Sequence, residues 1–286
     1  MKLCLLIFLL SFNVLAKDIN DYSFISSVPI LSEGRIKPLD TFARSTLLRF
    51  HNKSSLKNKS AIQWLIELLF DQKTAYNESL FKIINDDVIK ALDLKKTPSN
   101  LYTFIELYSA LMKDTNLISE LAKKSQSELE PSQKQILELH EKVILYLDIS
   151  RSLSFISPEI EVPEISVRNT LQLTDKGNTT YLELLKRESL LKMAAIKSFS
   201  NANTQKTAES RRIVYLIRYL DLLKDDSFSN QFKILPKSVL AATDADWIAP
   251  WQLELRQNID PQYKAYIDLW ADIYRAYQDK SSDNFV

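Results

Sequence analysis

The chain has 286 residues, and its 37 basic residues nearly balance 36 acidic ones. A surface without net charge exerts no long-range attraction on nucleic acid, so we exclude a nucleic-acid partner. The sequence has two glycines and no GxGxxG, GxxxxGK[ST] or GxSxG motif. This argues against the common nucleotide-binding folds and against a nucleophile elbow. The two histidines, His51 and His140, lie too far apart for an HExxH-type metal site, so we expect no metal.

The first predicted element is a signal peptide over residues 1–16. Lys2 precedes an apolar run, and Val14 and Ala16 occupy the positions that a signal peptidase reads. The run is shorter than the about 20 apolar residues of a transmembrane helix. We therefore predict a soluble, exported, periplasmic protein. Cleavage would remove Lys2 and the single cysteine, Cys4, and leave a mature chain without net charge or thiol.

Residues 17–156 are predicted to form an N-terminal helical part. The stretch VPIL at 28–31 predicts a short extended segment that can pair as a strand. Apolar residues at helical spacing predict a helix from Leu39, capped by Asp40 or Thr41. A second helix is predicted at SAIQWLIELLF, since Ser60 and Gln63 have the spacing of a capping box.

The middle of the chain predicts two long helices. Thr97 as cap and Pro98 in the first turn indicate a helix that runs to about Glu130. Pro131 starts the next one, whose stripe includes His140. We predict that the two helices form a long antiparallel hairpin. The fold class is therefore mainly α, with a short extended N-terminal segment.

Residues 157–180 contain two prolines and a DKGN turn, which predict a linker or a small β excursion. Residues 181–286 are predicted to form a C-terminal helical part with an aromatic-rich last helix. Its tryptophans and tyrosines suit either the core or a surface for a partner or flat ligand. The residues of that candidate surface are Trp247, Trp251, Trp270 and Tyr274.

The stretch EGRIKPLDTFA at 33–43 is the most informative motif. Gly34 suits a turn with positive φ, and Pro38 fixes the backbone before the helix that Asp40 would cap. Arg35 and Lys37 then lie beside a helix N-terminus, a place that suits a carboxylate or phosphate. In the alternative interpretation Arg35 pairs with Glu33 or Asp40.

The two histidines have simpler interpretations. His51 lies in a polar stretch, RFHNKSS, and is expected to be exposed to solvent. His140 lies on an apolar stripe and is expected to be a hydrogen-bonded core residue.

Segments at both ends of the chain resemble one family. VPI at 28–30 with GRIKPLDTFA at 34–43 resembles the opening of the periplasmic region in system II cytochrome c biogenesis proteins of the CcsA/CcsB (ResB) type. SAIQWLIELLF is similar to that family's next helix. Near the C-terminus, DADWIAPW at 244–251 and the helix from 265 are similar to the segments before its final membrane module. The middle of the chain matches the family only in helix content.

The resemblance implies a non-catalytic periplasmic component of c-type cytochrome maturation. Its expected partners are a membrane-bound haem exporter and synthase and the apocytochrome c client. Family members also carry membrane helices, a tryptophan-rich haem loop and haem-ligating histidines, which have no counterpart here. We therefore expect a detached periplasmic domain, with haem held by the partner. Arg35 and Lys37 are candidates for partner or haem-propionate contacts.

Two other classes of function remain. One is a periplasmic module that binds a peptide or small ligand through the aromatic residues named above. The other is a helical hydrolase, for which the sequence offers no identifiable Ser/His/Asp arrangement or paired carboxylates.

Overall fold

A computed structural model describes residues 21–113, 115–173, 177–200, 207–224, 231–236, 247–254 and 261–279. The protein is mainly α, with short antiparallel strand pairs between the helices. None of the described helices has the length and apolarity that crossing a bilayer requires. The predicted signal peptide lies outside the described residues.

The described chain begins with a small hairpin. Helix α1 (Ser23–Ser27) leads into strand β1 (Pro29–Ser32), which pairs antiparallel with β2 (Arg35–Pro38). The two residues between the strands both have positive φ, 53° at Glu33 and 72° at Gly34. A two-residue turn of this kind matches the natural twist of the strands, which explains the glycine at its second position. The extended VPIL segment and the positive φ of Gly34 are confirmed.

Helix α2 (Leu39–His51) starts directly after β2. Its N-cap is Pro38, and no side chain caps it, so the prediction of Asp40 or Thr41 as the cap is wrong. Asp40 instead accepts a 2.6 Å hydrogen bond from Arg44 one turn further along.

Helix α3 (Ala61–Phe70) begins as predicted, with a reciprocal capping box between Ser60 and Gln63. All of its residues except Gln63 and Glu67 are buried, so this helix lies at the centre of the core.

The predicted long helical hairpin is not confirmed. The chain turns at 97–100 and pairs as a strand, and a helix begins only at Phe104. There Thr103 and Glu106 form the reciprocal hydrogen bonds of a capping box. The elements between α3 and the end of the first half are α4 (Gln72–Tyr76), β3 (Phe81–Lys82), α5 (Asp86–Ala91), β4 (Leu101–Tyr102), α6 (Phe104–Lys113), α7 (Thr115–Lys123) and α8 (Pro131–Arg151).

An aromatic cluster surrounds Tyr146 on α8. Its ring lies 5.1 to 6.4 Å, between ring centroids, from five other aromatic rings. Its hydroxyl donates to the Ala75 carbonyl oxygen at 2.9 Å. We define the aromatic cluster as Phe50, Trp64, Tyr76, Phe81, Phe104 and Tyr146.

The second half of the chain follows a 3₁₀ turn at Ser154–Ile156. The segment 157–180 holds a two-residue strand pair with a helix between the strands. The elements are β5 (Ile160–Glu161), α9 (Ile165–Leu171), β6 (Asn178–Thr179), α10 (Tyr181–Lys186), α11 (Glu188–Ser200), α12 (Ala208–Lys224), β7 (Leu235–Pro236), β8 (Trp247–Ile248), α13 (Trp251–Glu254) and α14 (Pro261–Gln278).

The two ends of the chain pack against each other. The amide of Leu31 on β1 donates to the carbonyl oxygen of Lys233 at 2.9 Å. At the end of α3, Phe70 contacts the rings of Trp270, Tyr274 and Tyr277 on α14. Two of the segments that carry the family resemblance, SAIQWLIELLF and the helix from 265, are therefore neighbours in space.

Candidate functional site

The two cations of the GRIKPLDTFA motif have different environments in the hairpin. The Lys37 side chain is only 16% exposed, and its ammonium lies 3.2 Å from the carboxylate of Glu33. Arg35 is exposed, and its guanidinium forms no hydrogen bond or ion pair with any described residue. The alternative in which Arg35 pairs with Glu33 or Asp40 is therefore wrong, because Glu33 pairs with Lys37 and Asp40 with Arg44. Arg35 is available for an external partner.

The other motif residues set the backbone. Gly34 completes the turn, and an added Cβ there would meet no atom within 4 Å, so only its φ of +72° restricts the residue type. Pro38 ends β2 with an extended backbone and places α2. The carboxylate of Asp40 forms an ion pair with Arg44, so Asp40 is not an unpaired charge. Among the charged residues of the motif, Arg35 is the one without an ion pair in the described chain.

A cavity of about 300 Å³ lies between the hairpin, α2, α8 and the segment 231–233. Its apolar lining is mostly buried, whereas its charged and polar lining residues, except Thr46, are exposed or half-buried. We call it the hairpin cavity. Its described lining residues are Leu31, Ser32, Glu33, Gly34, Phe42, Ser45, Thr46, Arg49, Leu145, Ile149, Gln231 and Lys233.

One stripe of α2 supplies a wall of this cavity. Phe42, Ser45, Thr46 and Arg49 follow one another at the spacing that puts residues on one helix face. Ser45 donates to the Phe42 carbonyl oxygen at 2.9 Å. Thr46 is only 7% exposed, and its hydroxyl has no hydrogen-bond partner among the residues described here.

The cavity carries excess positive charge. Among its described lining residues Arg49 and Lys233 are basic and Glu33 is acidic. Glu33 is already paired with Lys37. Neither the guanidinium of Arg49 nor the ammonium of Lys233 bonds to another described side chain. This arrangement can receive an anion.

Sequence reasoning missed both cations. Arg49 lies at the edge of the buried stripe of α2, two turns after Phe42 on the same face, where a charged residue gives no distinct signal. Lys233 reaches the cavity through the bridge between Leu31 and Lys233, which no local pattern predicts. The usable signal was the run of polar residues at Ser45, Thr46 and Arg49 on one face of the helix.

A second cavity, of about 420 Å³, lies between the strand β3 and α8. It is lined by Lys82, Glu138 and Lys142 among other residues. At its edge the side-chain amide of Asn85 donates to that of Gln135 at 3.0 Å. Because Lys142 lines this second cavity, its substitution is a control for charge changes at the hairpin cavity.

The tryptophans of the candidate aromatic surface are buried. Trp247, Trp251 and Trp270 are 6%, 3% and 1% exposed. Tyr274 is half-buried, burial raises the pKa of its phenol, and its ring packs edge-on against Phe70. Large rings fill the space between the two chain ends because burying them stabilises the fold. The core interpretation therefore holds for the three indoles.

The two histidines also differ from expectation. His51 is half-buried, and its Nδ1 lies 2.9 Å from the Leu80 carbonyl oxygen. Because a carbonyl oxygen only accepts, Nδ1 carries the hydrogen in this contact. The expectation of a solvent-exposed His51 is wrong. His140 is half-buried and is not a core residue.

No group of three or more His, Cys, Asp or Glu side chains within the described ranges could hold a metal ion. Comparison of the sequence with protein-family models and with curated proteins gives no match. Function is therefore inferred from the geometry of the hairpin and from the motif residues.

Proposed function

We propose that the protein is a non-catalytic periplasmic component of c-type cytochrome maturation, which acts with a membrane-bound haem exporter and synthase. The observation that supports this most is the exposure of Arg35 and Ile36 in the motif of the resemblance. Arg35 has no partner within the described chain, and Ile36 is 54% exposed. An unpaired arginine beside an apolar side chain is a combination typical of protein interfaces.

The packing of the chain ends gives further support. The resemblance is carried by segments near both ends, and two of these segments contact each other where Phe70 packs against Trp270 and Tyr274 on α14. Residues that share a family likeness thus pack together within the described chain. The partner contact is proposed at the exposed part of the hairpin.

The geometry of β2 favours contact through side chains. Because Ser32 and Arg35 flank the two-residue turn, Ile36 is the residue of β2 whose amide faces away from β1. Pro38, two residues later, has no N–H to offer. A partner strand could form few hydrogen bonds along so short an edge. The proposed contact therefore depends on the Arg35 guanidinium and the Ile36 side chain.

Two earlier hypotheses lose support. A haem-propionate site made by both motif cations would require breaking the bond between Lys37 and Glu33. A ligand site made by Trp247, Trp251 and Trp270 would require exposing rings that are buried. In this proposal haem is held by the membrane partner, and the thiols that receive it belong to the apocytochrome c client.

The test is a haem stain of c-type cytochromes in a strain that lacks this gene. We expect covalent haem to disappear and to return with the wild-type gene. The double variant Arg35→Glu with Ile36→Asp should restore little covalent haem, although both side chains are exposed and the fold should be intact. Arg211→Glu, an exposed charge reversal on α12, serves as the control and should complement fully.

Unchanged holocytochromes in the deletion strain would refute the maturation role. Full complementation by the hairpin double variant, at normal protein level, would leave that role but refute the proposed contact. Co-purification of the membrane partner with wild type and double variant gives a second readout of the contact.

A further inference from the structure

We infer that the hairpin cavity is a binding site for a carboxylate attached to an aliphatic body. The site is distinct from the exposed partner contact and does not depend on the proposed function. It combines buried apolar walls with two basic side chains that the described protein does not neutralise.

The apolar walls of the site determine the size and chemistry of the aliphatic part of the ligand. Leu31, Phe42 and Ile149 are buried side chains that line the cavity, and Leu145 is half-buried beside them. Their walls are aliphatic except for one phenyl ring. A cavity of about 300 Å³ corresponds to about ten water volumes, and so to a ligand of roughly ten non-hydrogen atoms. Haem is far too large for it.

The polar part determines the head group. Arg49 and Lys233 can each donate charge-assisted hydrogen bonds to a carboxylate. Thr46 is a buried residue that lines the same cavity, and its hydroxyl has no hydrogen-bond partner in the described chain. A bound carboxylate oxygen would satisfy it. Glu33 lies at the opening but is neutralised by Lys37, so it does not cancel the two cations.

This chemistry has two possible sources, a free medium-chain acid and the C-terminal residue of a peptide. Octanoate has eight carbons and two oxygens and therefore matches the size of the cavity. The leucine residue at the end of a peptide offers a similar aliphatic body and carboxylate, and the rest of the peptide would lie outside the cavity. The two sources are separated by comparing octanoate with acetyl-Ala-Leu, each beside its uncharged amide.

The experiment is calorimetric titration of the purified protein with these four probes. We expect octanoate to bind with a dissociation constant on the order of 0.1–1 mM and octanamide to bind at least tenfold more weakly. If acetyl-Ala-Leu binds more tightly than octanoate, the natural ligand is a chain terminus, and if it binds less tightly, a free acid. No binding of either carboxylate at about 10 mM would refute the site.

Matched variants locate the binding. Arg49→Gln and Lys233→Gln should each weaken carboxylate binding by about tenfold, and the double variant should weaken it further than either. Lys142→Gln changes a cation at the second cavity and should leave the affinity unchanged. A loss of affinity in the Lys142 variant with none in the other two would overturn the assignment. Circular dichroism checks that each variant is folded.

Chemical shifts give a readout that a merely structural change would not mimic. In a methyl-labelled protein, octanoate should shift the signals of Leu31, Leu145 and Ile149, which line the cavity. The methyl groups of Met193 and Ile196 on α11 should stay unchanged. Shifts confined to α11 would contradict the inference.

Discussion

The aromatic cluster and the hairpin cavity use polar side chains in opposite ways. In the cluster, Tyr146 donates to the Ala75 carbonyl oxygen, and Tyr76 lies 2.6 Å from the Ser150 hydroxyl. Ser150 gives its own hydrogen to Leu147, so Tyr76 is the donor of that pair. At the cavity, the side chains of Thr46 and Arg49 have no such partners among the described residues. A polar group bonded inside the protein stabilises it, whereas an unbonded one that lines a cavity can bond to a ligand.

The largest expected effect comes from removing the centre of the aromatic cluster. Tyr146→Ala should lower the free energy of unfolding by about 3–5 kcal/mol, because it leaves a cavity among closely packed rings. Met193→Ala, at a methionine that is 57% exposed, should change it by less than about 0.5 kcal/mol. Urea unfolding followed by tryptophan fluorescence measures both. Equal effects would show that the cluster is not the stabilising centre of the fold.

A middle-sized effect is expected for charged groups that the protein does pair. The ammonium of Lys59 lies 2.7 Å from Glu67 and 3.2 Å from Glu78. Lys59→Met should therefore lower stability by about 1–2 kcal/mol, since the pair is partly exposed. Lys233→Met at the cavity should change it by less than about 0.5 kcal/mol. The reverse order would contradict the contrast between the two regions.

The pH dependence of stability tests the role of the Lys59 ion pairs. Burial alone would lower the pKa of Lys59, but the two glutamates outweigh it and raise the pKa above its ordinary value of 10.5. The charged form is thus favoured in the folded state. Its stabilisation is complete below pH 10.5 and is lost as the pH rises through the raised pKa. We expect the stability difference between wild type and Lys59→Met to shrink in that alkaline range.

The smallest expected effect is the most informative. Thr46→Val removes a hydroxyl that has no bond within the described chain and keeps the shape of the side chain, so stability should be unchanged or slightly higher. Tyr146→Phe removes one hydroxyl that is bonded and should lower stability by about 1 kcal/mol. Thermal unfolding of the two variants compares them. A clear loss in Thr46→Val would mean that its hydroxyl serves the fold rather than a ligand.

Local chemistry made several elements predictable. The capping box of Ser60 and Gln63 determines the start of α3. The turn was predictable because glycine, here Gly34, is the residue type that adopts positive φ most easily. The long helix from Thr97 was wrong because β4 pairs with β3 and delays the helix until the capping box at Thr103. The prediction considered Pro98 but overlooked a second capping signal five residues later.

The candidate site could be predicted only in part. The motif identified the hairpin, but the pattern could not tell that Lys37 is paired and Arg35 is not. Arg49 and Lys233 come together through tertiary contacts that no sequence period encodes. The aromatic residues misled because tryptophan and tyrosine are common both in binding sites and in cores, and burial, which decides between them, depends on the whole fold.

The bridge between Leu31 and Lys233 has a consequence for the order of folding. The hairpin and α2 form from neighbouring residues, whereas this bridge joins positions separated by most of the chain, and such distant contacts form late. The Lys233 side of the cavity should accordingly open in local fluctuations that leave α3 and the aromatic cluster intact. Hydrogen exchange at the Leu31 amide would report this opening, and a ligand that contacts both Arg49 and Lys233 should slow it.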